Sequence, residues 1–215
     1  MKPQSVAPHR SSSFVSPVGI LRLVASPFGL AAVLWENDDP KRVRIGPTSE
    51  DATDAILIEA KRQLKAYFAG DLKVFTLRLD FRGTDFQKSV WQALLTIPFG
   101  ETRSYSDIAR QIAKPKASRA VGAANGRNPI SIIAPCHRVT GSNGALTGFA
   151  GGIATKEYLL RLERSRDAQK GESGVRGRSS KSNTTGQFDN CGMSIYAVQP
   201  GEWGSIRRIV KYERL

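Results

Sequence analysis

Pro129 and Pro135 restrict the apolar run between them, Ile130 to Ala134, more tightly than any other feature restricts its surroundings. Proline fixes φ at about −65°, removes a backbone donor and steers the residue before it away from the helical region. Too few residues lie between the two prolines for a helix, so the run is expected to be extended. It delivers the chain to Pro135-Cys136-His137-Arg138. A free thiol is only slightly ionised near neutrality, and a nucleophilic cysteine therefore needs a base or a positive field beside it. His137 is the one imidazole outside the N-terminal segment. Neighbours on an extended segment point to opposite sides, which favours a bridging water over direct contact as the proton path. A histidine base also needs a group that fixes its tautomer and stabilises the imidazolium, most often a carboxylate. Glu163, at the end of the last predicted helix, is the candidate. The same three residues also read as a buried cysteine, a satisfied histidine and a solvated glutamate, and spacing alone does not separate the two readings.

The only other cysteine is Cys191 and the only other histidine is His9, with no C-x-x-C pair. Neither a disulfide framework nor a zinc site is expected, and no cofactor. A formal net charge of +13 favours an anionic partner, nucleic acid first, because each cation that neutralises a phosphate releases condensed counterions. Ten of the 32 Lys and Arg and five of the 19 Asp and Glu follow Glu163, so the residues before that point hold 22 against 14 and keep about +8. A basic surface with no particular partner would look the same. No apolar run approaches the roughly 20 residues that span a bilayer, and the start of the chain has no apolar leader. The reading is a cytoplasmic protein without a membrane segment, with 40% apolar residues for one or two modest cores.

Residues 1–17, with Ser11, Ser12 and Ser13 among prolines, are expected to be a disordered leader. Val18 to Val24 and Leu30 to Trp35 read as strands joined at Ser26-Pro27-Phe28-Gly29 into a hairpin. Ile56, Ala60, Leu64 and Phe68 repeat every four within Asp51 to Phe68, ahead of Gly70, which predicts a helix. Val74 to Leu79 alternates like a strand. Residues 18–80 thus form a small N-terminal α+β domain in which one helix covers a short sheet. A second domain spans 81–165. In it Asp85 to Ile97 is a helix closed by Pro98, Ser104 to Ile112 a second, Ala113-Lys114-Pro115-Lys116 a turn, Ala117 to Asn125 a third, and Thr155 to Glu163 the last. Residues 166–215 are a basic tail of unassigned, partly disordered structure.

The helix-turn-helix has an unusual second helix. Ala117, Ala120, Gly122, Ala123, Ala124 and Gly126 leave it few side chains that could read base edges in a major groove. Small residues instead allow close approach to a minor groove, with Arg119 as the one long cation, placed to fill the gap left by an extruded base. Packing of helix on helix would use the same small residues. Tyr105 starts the first helix of the pair, where a phenol meets a phosphate or a base edge, and Asn128 can brace two turns through its side chain.

With these residues in place, Phe81 to Glu163 resembles the catalytic domain of the O6-alkylguanine-DNA alkyltransferases. The resemblance is carried by Gly83-Thr84-Asp85-Phe86-Gln87, Val90-Trp91, Ile97-Pro98-Phe99-Gly100, Ser104-Tyr105, Arg119-Ala120-Val121-Gly122, Asn128-Pro129, Pro135-Cys136-His137-Arg138-Val139 and Gly151-Gly152, in the family's order. Ser26-Pro27-Phe28-Gly29 and Tyr67-Phe68-Ala69-Gly70 extend it to the N-terminal domain. It implies an α+β protein with an RNase H-like α/β domain followed by a winged helix-turn-helix. It implies a monomer that binds double-stranded DNA through the minor groove, flips out an O6-alkylguanine and moves the alkyl group irreversibly, once, to Cys136. His137 would be the water-mediated base, Glu163 its orienting partner and Asn128 the brace. Arg119 would intercalate, with Ala120, Gly122 and Ala123 against the DNA. Tyr105, the carbonyls of Cys136 and Val139 and the Ala150 N–H would recognise the base. Whether O4-alkylthymine or larger alkyl groups are accepted stays open. Ala134 stands where the family usually has Val or Ile, the zinc ligands of some animal members are absent, and nothing matches the tail. A sensor of alkylated bases that lacks transfer, a transcriptional regulator and a cysteine hydrolase are the competing readings. The reactive cysteine, the Ala/Gly-rich helix and the lack of an identifiable oxyanion site count against them in turn.

Overall fold

The computed structural model describes residues 9–173. The predicted tail beyond residue 173, with Cys191, and the first eight residues of the predicted leader lie outside the described residues.

The expected leader is in part a strand. β1 (His9–Ser16) pairs antiparallel along its whole length with β2 (Gly19–Ser26), which pairs antiparallel with β3 (Gly29–Trp35), while β4 (Thr48–Glu50) runs parallel to β1. The sheet order is β3-β2-β1-β4. Serines do not prevent a backbone ladder, and here they are used: Lys61 Nζ donates to Ser12 Oγ at 2.6 Å, and Phe14 stacks on Phe68. Helix α1 (Ala55–Ala69) lies on this sheet and buries Leu57, Ala60, Leu64 and Tyr67. It begins later than Asp51 because Asp54 is its N-cap, accepting from the Ile56 and Leu57 N–H groups. It ends at Gly70, whose φ of 84° a residue with a side chain would adopt only at a cost.

Val74 to Leu79 does not become a strand. Leu30 makes the ladder bonds there, donating to Arg78 O and accepting from Asp80 N–H. Further along the same edge of β3, Val33 donates instead to Pro129 O and accepts from Ser131 N–H. Two segments share one edge, so neither pairs for long. Thr76 bonds through its N–H and hydroxyl to the Gln63 carboxamide, a side chain taking the place of a strand.

α2 (Asp85–Leu94) and α3 (Tyr105–Gln111) each open on a capping box, Thr84 with Gln87 and Ser104 with Asp107. α4 (Ser118–Gly126) completes the helix-turn-helix. β5 (Arg103–Ser104) pairs in parallel with β6 (Val139–Thr140), which fixes the start of α3 beside the segment that follows Cys136. α5 (Ile153–Ser173) is longer than the predicted Thr155 to Glu163 and continues into the predicted tail. Among the described residues, no helix is long and apolar enough to cross a membrane.

The segment between the prolines is folded rather than extended. Ile130 bridges to Val33, but Ala134 N–H then donates back to Ile130 O at 2.9 Å, and Ile132 sits at φ 72°. A β-branched residue in that region is strained and persists only where its surroundings hold it. Cys136–Arg138 is a single 3-10 turn. Ile130, Ile132 and Ile133 belong to the apolar cluster of the sheet and α1, whereas Cys136 and Val139 belong to a second cluster with Val90, Trp91, Leu94, Ile108 and Val121. The strained segment therefore joins two cores.

Candidate active site

Asn128, fully buried, holds the strained turn. Its Oδ1 accepts from Ile130 N–H at 3.0 Å, and its Nδ2 donates to Ala134 O at 2.7 Å. Its amide also stabilises the ionised form of Cys136. Asn125 Nδ2 donates to Cys136 O at 3.4 Å. The cysteine itself is 3% exposed, and burial raises its pKa against the opposing influence of Asn128, Arg42 and Lys156. In the resting fold it is a neutral thiol.

His137 and Glu163, 26 positions apart, meet with Nε2 2.8 Å from Oε1, both fully buried. Glu163 also accepts from Tyr67 Oη at 2.7 Å, from Arg138 through Nε at 2.8 Å and Nη2 at 3.0 Å, and from the Gly100 N–H at 3.2 Å. With His137 these make five bonds, three to Oε1 and two to Oε2, so none of the roughly four lone-pair directions of the carboxylate is left open. Burial alone would raise the Glu163 pKa, but the bonds and charges of His137 and Arg138 outweigh it and hold the group at about 2. With an ionised acceptor at Nε2, that nitrogen carries the proton. Nδ1 has no protein hydrogen-bond partner, and burial keeps the ring's pKa below its ordinary value despite Glu163. A neutral imidazole with an unprotonated Nδ1 is the state a general base requires. Arg138 completes its own bonding to Ile97 O at 2.6 Å and stacks over Phe99.

Arg138 and Tyr67 carry no role that the sequence alone assigns. Arg138 stands inside the cysteine motif, but nothing local tells that a guanidinium after histidine turns inward. Tyr67 comes from α1 in the N-terminal half, 96 positions from Glu163. Lys156 is likewise silent in the sequence. It is buried, and its Nζ donates to Val139 O at 2.6 Å and Thr147 O at 2.9 Å. One of the two lone pairs of the Val139 carbonyl is thereby occupied, and the Cys136 carbonyl accepts from Asn125 and from Val139 N–H.

An open cavity of about 630 Å³ lies between α3, α4 and the loop before α5, lined by Tyr105, Arg119, Gly122, Thr147, Phe149 and Ala150, among others. Cys136 and Val139 are buried and are not part of its lining. Thr147 Oγ1 donates to Tyr105 Oη at 3.1 Å, which leaves the phenol's own proton free. On α4 the buried residues are Val121, Ala124 and Asn125, whereas Arg119, Ala120 and Ala123 face solvent and Gly122 is half-buried. The small residues on the outer face are thus not used in packing helices together. A Cβ at Gly151 would meet the Trp35 ring at 2.7 Å, so the loop can approach β3 this closely only with glycine there. Among the described residues, no group of three or more His, Cys, Asp or Glu is placed to hold a metal ion.

Two family models match. Residues 10–81 match the ribonuclease-like domain of 6-O-methylguanine DNA methyltransferase, and residues 85–165 match its DNA-binding domain. A methylated-DNA–protein-cysteine methyltransferase of Methanosarcina acetivorans is 53% identical over 150 residues, covering 70% of this chain and 95% of the relative. One from Mycobacterium bovis is 52% identical over 153 residues, covering 70% and 90%. Among solved structures, OGT of Mycobacterium tuberculosis in complex with DNA superposes with a TM-score of 0.66 at 49% identity, covering 74% of this chain and 93% of that one.

Proposed function

This chain belongs to the 6-O-methylguanine DNA methyltransferase family, and from that membership we propose that Cys136 is the residue that receives the alkyl group. The activity is DNA repair by transfer of an alkyl group from methylated DNA to a cysteine of the protein itself. The substrate in this reading is O6-alkylguanine in double-stranded DNA, and the protein acts as a cytoplasmic monomer. Residues up to about 80 support the site, and 81–165 bind DNA and carry the chemistry.

The observation that carries the reading is the buried Cys136-His137 pair, with Nε2 committed to Glu163 and Nδ1 free of protein partners. The thiol proton passes to Nδ1 through a bridging water, and Glu163 stabilises the imidazolium. The thiolate attacks the alkyl carbon and forms a C–S bond. The bond from that carbon to O6 breaks, its electron pair goes to guanine, and the base takes a proton through the Tyr105 hydroxyl. The product is a thioether, which has no good leaving group, so each molecule acts once. Arg119 fills the space vacated by the base, and Ala120, Gly122 and Ala123 lie against the minor groove. The purine is recognised by Ala150 N–H, by the free lone pair of the Val139 carbonyl and by the Cys136 carbonyl, whose long 3.4 Å bond from Asn125 gives way to it. The solvent-facing position of Arg119, Ala120 and Ala123 supports this use of α4. Because Cys136 is covered in the resting fold, entry of the base requires the residues over the sulfur to shift.

Incubation with duplex DNA carrying methyl-labelled O6-methylguanine should place one label per chain on the peptide that contains Cys136. Label on Cys136→Ala would overturn the assignment.

A further inference from the structure

A second cavity, of about 270 Å³, lies at the far end of α4 and is lined by cations: Lys41, Arg42, Arg44, Arg82 and Arg127, with Gln87 and no carboxylate. The loop between β3 and β4 is pinned there by Arg42, which pairs with Asp38 and donates through Nη1 to Asn128 O at 2.6 Å and Gly126 O at 3.4 Å. The C-terminus of a helix carries unsatisfied carbonyls and partial negative charge, which repel a phosphate. Arg42 and Arg127 reverse that sign at the end of α4. Arg82 is paired with Asp80, but Lys41, Arg44 and Arg127 have no ion pair among the described residues, and all three are exposed. Like charges gathered in one concavity repel one another, and the walls of Trp91 and Pro129 strengthen the field.

We infer that this pocket docks the sugar-phosphate backbone of the duplex, a few base pairs from the base presented to Cys136. The inference rests on the reading of α4 as the DNA-facing helix. Arg119, Ala123 and Arg127 recur every fourth residue on its exposed face, so the helix points one continuous edge at DNA. At 1.5 Å per residue, Arg127 stands about 12 Å along the axis from Arg119. That is between three and four rises of roughly 3.4 Å in a strand. The minor groove is only about 6 Å wide, so a helix seated on it at Arg119 extends past the groove wall, and its C-terminal end meets phosphates. Interactions of this kind set register and orientation without reading sequence. The Lys41 to Arg44 loop belongs to the N-terminal half, which thereby gains a direct part in holding DNA.

The test is duplex binding, measured as a function of salt, on a duplex with one O6-methylguanine and about one helical turn, roughly 10 base pairs, on each side. Arg44→Ala combined with Arg127→Ala should weaken binding about tenfold near physiological salt. It should also flatten the slope of log K against log salt by roughly 0.9 for each phosphate no longer neutralised, about 1.8 in all. Arg44→Lys with Arg127→Lys should restore most of that slope, and thermal unfolding should not move because both side chains are exposed. Duplexes cut back close to the lesion on one side or the other should erase the difference between wild type and the double alanine variant in one of the two cases. Wild-type affinity and slope in the double variant would overturn the inference, as would a difference that survives both truncations. A variant that loses only cooperative binding, with normal affinity on a duplex that holds one molecule, would identify a second copy of the chain as the occupant and also overturn it. Failure of the underlying reading looks different: the wild-type chain would then neither bind the duplex nor gain the alkyl group.

Discussion

The surroundings of Glu163 and the outer face of α4 are opposites in construction. Around Glu163 the donors are committed, with the buried side chains of Tyr67, His137 and Arg138 and the half-buried Gly100 N–H converging on one carboxylate. On α4, Arg119, Ala120, Ala123 and Arg127 are exposed, and the two arginines have no ion-pair partner among the described residues. Proton transfer needs fixed distances and a dry setting, which only a packed interior supplies. Recognition of DNA needs groups whose partners arrive with the ligand. The protein therefore commits its hydrogen bonds where chemistry occurs and withholds them where binding occurs.

The sharpest way to break that contrast is Glu163→Gln, which leaves Arg138 buried without its counter-charge. Breaking a buried ion pair destabilises by about 3–5 kcal/mol. Denaturant unfolding should show that loss, and transfer to Cys136 should fall by orders of magnitude, while Arg119 and the rest of the outer face stay as they were. The pH dependence supplies a second readout. The Glu163 carboxyl is held at about 2 against an ordinary 4.5, so its contribution is present above about 4.5 and lost as pH falls toward 2. In Glu163→Gln that part of the acid unfolding should be missing.

Asn128→Ala removes the brace under the strained turn, orphans the buried Ile130 N–H and leaves Ala134 O with only the Cys136 N–H. A loss of about 2–3 kcal/mol is expected on unfolding, with slower transfer because Cys136 is no longer held. Arg119→Ala should do the reverse, lowering duplex affinity about tenfold in a direct binding measurement while unfolding shifts by less than about 0.5 kcal/mol. Tyr67→Phe is the mildest. It removes one donor from Glu163 at about 1 kcal/mol of stability. The freed carboxylate then binds the imidazolium more strongly and raises the His137 pKa, so the acid limb of the transfer rate should move to higher pH. An unmoved limb would mean that Tyr67 does not act through the carboxylate.

Much of the fold was legible because its signals are local. The four-residue repeat of α1, the Ala113 to Lys116 turn between α3 and α4, and the Ser26 to Gly29 turn each encode an element within a few residues. The serine-rich start misled because composition says nothing about a ladder whose partner, β2, supplies the hydrogen bonds. Val74 to Leu79 misled for a related reason. Its alternation predicts which side chains turn inward, but the edge of β3 it needed is shared with residues 129 to 131. In the site, Cys136, His137 and Glu163 stood out as residue types with a chemistry, whereas Arg138, Tyr67 and Lys156 did not, since their roles exist only after distant segments pack.

By itself the sequence determined the helices, the hairpin, the family and the placing of a cysteine beside a histidine after a proline-bounded run, because each is written in spacing or residue type. Only the tertiary structure decided the shape of that run. Two prolines exclude a helix, but they do not require an extended chain. The turn with Ile132 at φ 72° exists because Ile130 to Ile133 are drawn into one core while Cys136 and Val139 are drawn into another, and Asn128 spans the bend between them. Strain of that kind is stable only when surrounding packing offsets it, and packing between segments far apart in sequence leaves no trace in local spacing.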